Sequence, residues 1–436
     1  MQNRQIIEPK RSIDVIHETD VLVVGSGPGG LSAAIASARC GVKTTLLERF
    51  GCFGGNITVV GVEGFAWYRH EKTVEAGGIG REFEELAKEM GAAVPESQSL
   101  SYELDSEGFK LVADKLVMDS GIHPMLHRSF SMPIMEGNTV IGVIVESKAG
   151  REAILSKVVI DATGDADVAF RAGAQLNTMP VEELMATSVM FHLAGVDKKA
   201  FLSEIQNNPQ SYKDWSDSEW EVETDGKEDD LFSPFIKKPF QQAINDGLLP
   251  SDLKTIGGTW GAVHDTGELT YMNIIQLSNI DGTNPDDLTR GEIEGRKQAM
   301  LAIEALKKYY PGCEKARLRN FGMSIGIRDT RKLDAVYNMT ELDVRKQGKF
   351  EDTIGIYPEF IDGYGLLILP TTGRYMELPY SAMLPKNING LLVTGRATGG
   401  DKISHAATRN MSCCSCLLYT SPSPRDLSTS RMPSSA

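Results

Sequence analysis

Apolar and polar positions follow two different periods in the first part of the chain. A short apolar run, Asp20 to Val24, is typical of a buried strand. After a glycine-rich turn, the small residues from Leu31 to Cys40 predict a helix. A second apolar run, Lys43 to Glu48, predicts the next strand. The pattern therefore indicates a strand, a turn, a helix and a second strand at the start of the chain.

Helices and strands continue to alternate after this unit, which is typical of an α/β domain. The patterns predict helices over Gly78–Met90 and Glu107–Met118, and strands over Met125–His127, Val140–Glu146 and Ala153–Asp161. The last of these strands ends in a turn of small residues, IDATGD.

The pattern changes from about Gln175, where an apolar run is followed by long polar stretches and a predicted helix over Arg290–Lys308. A buried strand in GLLVTGR, ending at Gly395, then returns the chain to the first domain. We predict a first domain over 1–175 and 365–415, interrupted by a second domain over 176–364.

The end of the chain differs from the rest. From Cys416 to Ala436 it is rich in Ser and Pro and shows no apolar period. The start of this string back-translates to a common sequencing-library adapter, so we interpret 416–436 as a non-native tail left by cloning or assembly. Because the tail cannot supply the buried face of a packed helix, we expect Ser404–Ser415 to be poorly supported.

The glycine-rich turn carries the main functional motif. Gly25, Gly27 and Gly30 form GxGxxG between a predicted strand and a predicted helix. These glycines permit a tight turn, close approach to a pyrophosphate, and close helix–strand packing. Glu48 ends the second strand, where a carboxylate can accept hydrogen bonds from ribose hydroxyls. The unit predicts a dinucleotide-binding site; the alternative is a structural turn.

Composition narrows the possible partners. The formal charge is −14 and no Lys/Arg-rich run occurs, which argues against nucleic acid and anionic membranes. No apolar run reaches the length of a membrane span, and the polar start lacks a signal-peptide core, so we expect a cytoplasmic protein. The six cysteines are expected to be reduced thiols.

Five segments together resemble the FAD-dependent oxidoreductases that carry an inserted substrate domain. These segments are DVLVVGSGPGGLSAAIASARCGVKTTLLERFGCFGGN, VVIDATGDADVAFRAGA, DLTRGEIEGRKQA, IGIRDTRKL and LPYSAMLPKNINGLLVTGRATGGDKISHAATRNM. The resemblance implies a Rossmann-like FAD-binding domain with a central parallel sheet, and an inserted α+β substrate domain. It also implies FAD as the cofactor, but it does not name a substrate.

The resemblance extends the predicted cofactor site beyond the glycine turn. It implies that the loop after Glu48 wraps the cofactor, that the ATGD turn lies near it, and that Gly395 and Arg396 approach the flavin. The full set is Gly25, Gly27, Gly29, Gly30, Glu48, Arg49, Gly54, Gly55, Asn56, Ala162, Thr163, Gly164, Asp165, Gly395 and Arg396.

Four further residues are candidates for the chemistry. Arg328 and Arg331 lie in IRDTR and could clamp a carboxylate; the alternative is a structural pair with Asp329 or Asp334. His405 and Arg409 lie on the segment after Arg396, which by resemblance passes beside the flavin. His405 could transfer a proton near neutral pH, and Arg409 could stabilise an anionic flavin; both could instead only pack on the cofactor.

Two other sites are not supported by their spacing. His123 and His127 are predicted to lie on a strand, where four residues span ~13 Å, too far for one metal ion. Cys40 and Cys52 are too far apart in sequence for a redox pair, and the Cys413–Cys416 spacing meets the suspect tail. We therefore expect neither a metal nor thiol–disulfide chemistry.

The main hypothesis is an FAD enzyme that oxidises or reduces a small anionic or polar organic substrate by hydride transfer. One alternative is a flavin-binding electron-transfer subunit of a larger complex, which would dock a partner protein. Another is an NAD-only dehydrogenase, which would be colourless when purified.

Overall fold

A computed structural model describes residues 6–65, 77–95, 102–209, 221–223, 235–253 and 255–416. The predicted non-native tail, apart from Cys416, lies outside these residues.

The helices have the bounds α1 Pro28–Arg39, α2 Ile79–Glu89, α3 Gly108–Asp119, α4 Asp167–Ala172, α5 Lys198–Asn207, α6 Lys238–Asn245, α7 Pro285–Tyr309, α8 Glu341–Arg345, α9 Lys402–Thr408 and α10 Met411–Cys416. The strands of the first half are β1 Val15–Val24, β2 Thr44–Leu47, β3 Ala93–Pro95, β4 Tyr102–Leu104, β5 His123–Met125, β6 Ser129–Glu136, β7 Thr139–Ser147, β8 Gly150–Asp161, β9 Leu176–Asn177 and β10 Thr187–Ala194. Those of the second half are β11 Glu221–Glu223, β12 Phe235–Ile236, β13 Gly258–Thr259, β14 Leu269–Leu277, β15 Arg317–Phe321, β16 Lys332–Leu333, β17 Thr353–Pro358, β18 Ile361–Gly363, β19 Leu366–Ile368, β20 Tyr375–Pro379 and β21 Leu391–Val393.

The first sheet is parallel at its centre. Its strand order is β5-β2-β1-β8, and β21 joins the end of β8 as a further parallel strand. The antiparallel strands β7 and β6 extend the sheet beyond the start of β8. The inner strands are apolar on both faces, as parallel strands must be when helices cover the sheet. This is the Rossmann-like α/β fold that the sequence predicts.

Helix α1 packs against β1 because its residues are small. Ala33, Ala34 and Ala36 are buried with Leu31 and Ile35 in a core shared by the sheet and its helices. The carboxyl ends of β1, β2, β8 and β21 meet near the start of α1. Ligands of open α/β sheets bind at this edge.

A second sheet has the order β12-β13-β14-β10-β15 and is antiparallel throughout. Its apolar side packs against α7, and its core takes residues from Val189 to Ile327. Residues from Met339 onward belong to the core of the first sheet instead. The domain division at 175, 364 and 415 stays a prediction.

The last described segment is well packed, contrary to our expectation. Helix α9 buries Ala406 and Ala407, and α10 buries Cys413 and Cys416, all in the core that includes α1. This packing is contrary to the expected weak support over Ser404–Ser415, because small residues such as Ala406, Ala407 and Cys413 fit between neighbouring elements.

Candidate functional site

A cavity of about 440 Å³ lies where the glycine-rich turn meets the ends of the parallel strands. We call it the dinucleotide cavity. Its walls include every residue predicted to bind the cofactor except Gly54, that is, Gly25, Gly27, Gly29, Gly30, Glu48, Arg49, Gly55, Asn56, Ala162, Thr163, Gly164, Asp165, Gly395 and Arg396. Four segments that are distant in sequence thus meet at one site.

The glycines of the turn differ in what surrounds them. Gly25 has φ +101°, and a Cβ there would lie 2.4 Å from the Ala162 carbonyl oxygen. A Cβ on Gly30 would lie 2.0 Å from the Gly25 carbonyl oxygen. A Cβ on Gly27 would meet nothing within 4 Å. Gly25 and Gly30 are therefore required by packing, whereas Gly27 faces open space in the cavity.

The start of α1 is suited to a phosphate group. Gly27 is the N-cap residue; in the described structure no side chain caps this end, and the first turn carries no acidic residue. The free N–H groups and the positive end of the helix dipole therefore face the cavity. Open space at Gly27 together with uncapped N–H groups fits the pyrophosphate of a dinucleotide.

Glu48 is held by the glycine turn itself. Its Oε2 accepts hydrogen bonds from Ser26 N at 2.9 Å and Ser26 Oγ at 2.6 Å, and its Oε1 accepts one from Phe50 N at 3.0 Å. The carboxylate is buried, yet it forms part of the cavity wall. Oε2 already accepts two hydrogen bonds and Oε1 accepts one, so Oε1 can still receive a ribose hydroxyl.

The ATGD turn is shaped by a buried aspartate. Asp161 Oδ1 accepts hydrogen bonds from Thr163 N at 3.1 Å and Thr163 Oγ1 at 2.7 Å, and Oδ2 accepts one from Ala169 N at 2.9 Å. Burial raises the pKa of Asp161 to about 6. The interactions bend the chain after β8 and place Asp165 at the cavity wall.

Gly54 is the exception among the predicted cofactor residues. Its N–H donates to the Ser26 carbonyl oxygen at 3.0 Å, and a Cβ there would lie 2.5 Å from the Thr58 side chain. Gly54 therefore does not line the cavity, and its hydrogen bond joins the loop after Glu48 to the glycine-rich turn.

A second cavity, of about 650 Å³, adjoins the first. We call it the adjacent cavity. The strands β10, β13 and β14 of the second sheet line it, together with residues before and after β18. Five residues line both cavities, namely Asn56, Ile327, Arg396, Arg409 and Met411. A molecule in the adjacent cavity would thus lie next to one in the dinucleotide cavity.

Arg328 lines the adjacent cavity. Its Nη1 donates to the Ala186 carbonyl oxygen at 2.5 Å and to Gln276 Oε1 at 3.2 Å, and its Nη2 donates to Asn273 Oδ1 at 3.3 Å. Burial, and then the nearby Arg409 cation, lower the pKa of Arg328 to about 10, so the guanidinium remains charged at neutral pH.

Arg331 does not join Arg328, so the predicted clamp of two guanidiniums is wrong. Arg331 lines the dinucleotide cavity, donates to Asp167 Oδ1 at 2.7 Å, and lies over the Phe170 ring at 4.4 Å. Its ion-pair partner is thus neither Asp329 nor Asp334. The chain between the two arginines turns so that they reach different cavities.

Arg409 lies on the shared wall. Its Nη2 donates to Asp362 Oδ2 at 3.0 Å and also to the Asp362 carbonyl oxygen. The ion pair fixes the guanidinium between the two cavities.

A family model for FAD dependent oxidoreductases matches residues 20–417, which is most of the chain. The chain belongs to the FAD dependent oxidoreductase family. It is an FAD-dependent enzyme, and the dinucleotide cavity offers the open turn, the uncapped helix and the carboxylate that FAD requires.

Curated relatives match only part of the chain. Thiamine thiazole synthase of Metallosphaera sedula is 34% identical over 160 residues, which is 34% of this chain and 55% of that protein. Thiamine thiazole synthase of Saccharolobus islandicus is 33% identical over 162 residues, which is 35% of this chain and 57% of that protein. The chain thus spans about half the length of these relatives.

Two solved structures are similar to the chain at low sequence identity. The myxobacterial chondrochloren halogenase, described as an FAD-dependent halogenase, is 12% identical with a TM-score of 0.45, covering 94% of this chain and 78% of its own. A geranylgeranyl bacteriochlorophyll reductase-like protein from Thermoplasma acidophilum is 15% identical with a TM-score of 0.42, covering 81% and 70%.

His405 in this FAD dependent oxidoreductase is buried behind the cavities and lines neither of them. Its Nε2 donates to the Arg328 carbonyl oxygen at 3.1 Å and lies 3.5 Å from Asp329 Oδ1. Burial, with the Lys332 cation, lowers the pKa of His405 to about 3. The ring is therefore neutral near pH 7 and lines neither cavity, which argues against the predicted proton transfer.

The sequence analysis missed several residues of the site. Asp362 holds Arg409, and Thr330 Oγ1 donates to Asp165 Oδ1 at 2.7 Å. Tyr271 and Tyr364 line the adjacent cavity with φ values of 52° and 55°, which non-glycine residues rarely adopt. No sequence motif marks a tyrosine with such a backbone. Asp362 could be found only from its contact across the fold.

The remaining candidate chemistry is placed as follows. Among the described residues, no group of three or more His, Cys, Asp or Glu side chains could hold a metal ion. His123 begins β5, which ends at Met125, whereas His127 lies two residues beyond that end with φ 57° and is therefore not on the strand as predicted. Cys414 lines the dinucleotide cavity, and burial raises its thiol pKa to about 12. No helix in the described ranges is both long and apolar enough to cross a membrane.

Proposed function

We propose that this enzyme oxidises or reduces a small anionic or polar organic substrate that binds in the adjacent cavity. When bound, FAD supplies the acceptor or donor of a hydride. The observation that carries the proposal is the wall shared by the two cavities, formed by Asn56, Ile327, Arg396, Arg409 and Met411. A substrate there would lie beside the cofactor site.

The charges of the adjacent cavity support an anionic substrate. Arg328 and Arg409 both reach its wall, and Asp362 pairs with Arg409. We propose that Arg328 orients the substrate and that Arg409 stabilises negative charge on the shared wall. The predicted cofactor residues are proposed to hold FAD, with Glu48 at the ribose and the start of α1 at the pyrophosphate.

The alternative, an electron-transfer subunit, requires a docking surface for a partner protein. The adjacent cavity favours a small molecule instead, because 650 Å³ lies within the range of ligand cavities, roughly 300–1,000 Å³. The similarity to thiamine thiazole synthases does not identify the substrate, because it covers about a third of this chain.

The proposal is tested by a substrate screen on FAD-loaded protein without oxygen. Small acids, amino acids and alcohols are added to oxidised protein, and unsaturated acids to protein reduced beforehand with dithionite. We expect one class to bleach or restore the flavin absorbance, and Arg409→Gln to slow that change. Electron exchange with a partner protein, without response to any small molecule, would favour the alternative.

A further inference from the structure

Arg328 is a cation whose hydrogen bonds all go to neutral oxygen atoms. Its acceptors are the carbonyl of Ala186 and the side-chain amides of Gln276 and Asn273. Within the described residues no carboxylate forms an ion pair with it. A cation removed from water is costly unless an anion pairs with it, so the site lacks one negative charge.

The guanidinium also has donors to spare. Arginine carries five N–H donors, and the Arg328 bonds use both hydrogens of Nη1 and one of Nη2. The Nε hydrogen and one Nη2 hydrogen remain. Nε and Nη2 lie along one edge of the planar group, and this edge matches the two oxygens of a carboxylate when the Asn273 bond uses the outer Nη2 hydrogen.

Two other cations of the cavity wall already have their own anions. Arg409 pairs with Asp362 at 3.0 Å, and Arg396 pairs with Asp165 at 2.6 Å. Among the described residues, Arg328 is therefore the arginine of this wall that has no carboxylate within ion-pair distance, although the charge of Asp362, which pairs with Arg409, also acts on it. A ligand carboxylate would give Arg328 the ion-pair partner that it lacks, whereas a second carboxylate placed against the apolar part of the wall would be desolvated.

Much of the remaining wall is apolar. Its apolar residues include Met190 on β10 and, from segments between the strands and helices, Val62, Leu184, Met185, Ile256 and Phe360. Methionine side chains adapt to irregular apolar ligands. The wall therefore suits a ligand with an apolar body and one polar end.

Hydrogen bonds to residues 328 and 329 hold the backbone of Arg328 in place. His405 Nε2 donates to its carbonyl oxygen, and the next residue, Asp329, accepts hydrogen bonds from Lys332 Nζ at 2.5 Å and from the Tyr364 hydroxyl. Such support holds a binding group in one geometry and reduces the cost of ordering it on binding.

We propose that the substrate is an amphipathic monocarboxylate, whose carboxylate pairs with Arg328 and whose apolar body fills the rest of the adjacent cavity. This inference rests on the proposed function, since it assigns the substrate class of the same site.

The test measures binding to the FAD-loaded protein by calorimetry and needs no turnover. The probes are acetate, hexanoate, hexanamide and hexanedioate. We expect hexanoate to bind at least about tenfold more tightly than hexanamide, because only the carboxylate completes the ion pair. We also expect hexanoate to bind more tightly than acetate, from apolar burial, and more tightly than hexanedioate.

Variants assign the preference to one residue. Arg328→Gln should bind hexanoate and hexanamide equally, and Arg328→Lys should keep part of the preference because it keeps charge without the planar edge. Arg296→Gln removes a surface arginine that pairs with Glu292 on α7, and it should behave as wild type. FAD content and the thermal midpoint of each variant are measured to confirm that it folds.

Three results would overturn the inference: equal binding of hexanoate and hexanamide by the wild type, an unchanged preference in Arg328→Gln, or no hexanoate binding at about 10 mM. The outcome is separate from that of the proposed function. If the preference follows Arg328 but no small molecule alters the flavin spectrum, the carboxylate site stands and the proposed reaction fails. If the enzyme instead turns over a neutral substrate and shows no preference for a carboxylate, the proposed reaction stands and the carboxylate site fails.

Discussion

Arg396 Nη2 lies 2.6 Å from Asp165 Oδ1, although the two residues are far apart in the chain. The same oxygen accepts a hydrogen bond from Thr330 Oγ1 at 2.7 Å. One carboxylate thus joins the turn after β8, the segment after β21 and the segment that carries Arg328. These are the segments that meet where the two cavities adjoin.

Replacing this carboxylate should loosen the FAD site. In Asp165→Asn the charged hydrogen bond to Arg396 is lost, so we expect FAD binding to weaken by about 1–2 kcal/mol. Fluorescence titration of the apoprotein measures this change. Asp20→Asn is the control, because Asp20 pairs with Lys157 at the surface, away from both cavities. Equal affinities for the two variants would show that Asp165 does not organise the site.

The separation of the two IRDTR arginines gives a second prediction. Arg331→Gln should weaken FAD binding, because Arg331 lines the dinucleotide cavity and pairs with Asp167. It should leave ligand binding in the adjacent cavity unchanged. Arg328→Gln should weaken ligand binding in the adjacent cavity and leave FAD binding unchanged. Titrations of FAD and of hexanoate with both variants measure the two effects. If Arg331→Gln impaired hexanoate binding as strongly as Arg328→Gln, the assignment of the arginines to separate cavities would fail.

The first βαβ unit could be predicted closely because local pattern determines it. The apolar run, the glycine turn and the small-residue helix correspond to β1, α1 and β2. Strand β6 was missed, since Pro133 lies within it and proline disfavours strand interiors. It is tolerated because β6 is at the sheet edge, pairing with β7 alone. Which strand forms an edge cannot be read from one segment.

The candidate site was predictable where a motif is continuous in sequence. The ATGD turn and the glycine turn lie together as expected. The partners of Arg331 and Arg409 could not be predicted, because Asp167 and Asp362 reach them only through the fold. The surroundings of His405 could not be predicted for a related reason, since its sequence neighbours do not indicate that the imidazole is buried near Lys332.

Burial of His405 should make the protein sensitive to acid. Its folded pKa is about 3 and its ordinary value is 6.5, so the unfolded chain binds the proton first. The contribution of neutral His405 to the free energy of unfolding is thus fully present above pH 6.5. It is lost as the pH falls toward 3, by about 1 kcal/mol per pH unit near pH 5. Urea unfolding at pH 7 and pH 5 should show this loss in wild type and less of it in His405→Gln. His264→Gln should keep the wild-type loss; the same loss in His405→Gln would contradict the account.

Glu63 gives the opposite pH dependence. It is buried, its Oε1 accepts a hydrogen bond from Ser106 N at 2.8 Å, and burial raises its pKa to about 7 from 4.5. The unfolded carboxyl ionises first, so this contribution is full below pH 4.5 and is lost as pH rises through 7. Glu63→Gln should therefore exceed wild type in stability at pH 8, by on the order of 1–3 kcal/mol, and match it near pH 5. If urea unfolding at pH 8 gave equal stability for the two proteins, ionisation of the buried Glu63 carboxyl would not be destabilising and the account would be contradicted.

The central claim, that FAD lies against the start of α1, is tested most directly by FAD titration of Gly27→Ala apoprotein. Gly27 has φ −61° and ψ 176°, which alanine adopts readily, and a Cβ there meets no protein atom within 4 Å. Gly30→Ala is the matched control for packing, since its Cβ would lie 2.0 Å from the Gly25 carbonyl oxygen and should destabilise the fold by about 1–3 kcal/mol. We predict that Gly27→Ala keeps the wild-type unfolding free energy but binds FAD at least about tenfold more weakly, because the methyl group occupies the space of the pyrophosphate. Wild-type FAD affinity in Gly27→Ala would contradict the account.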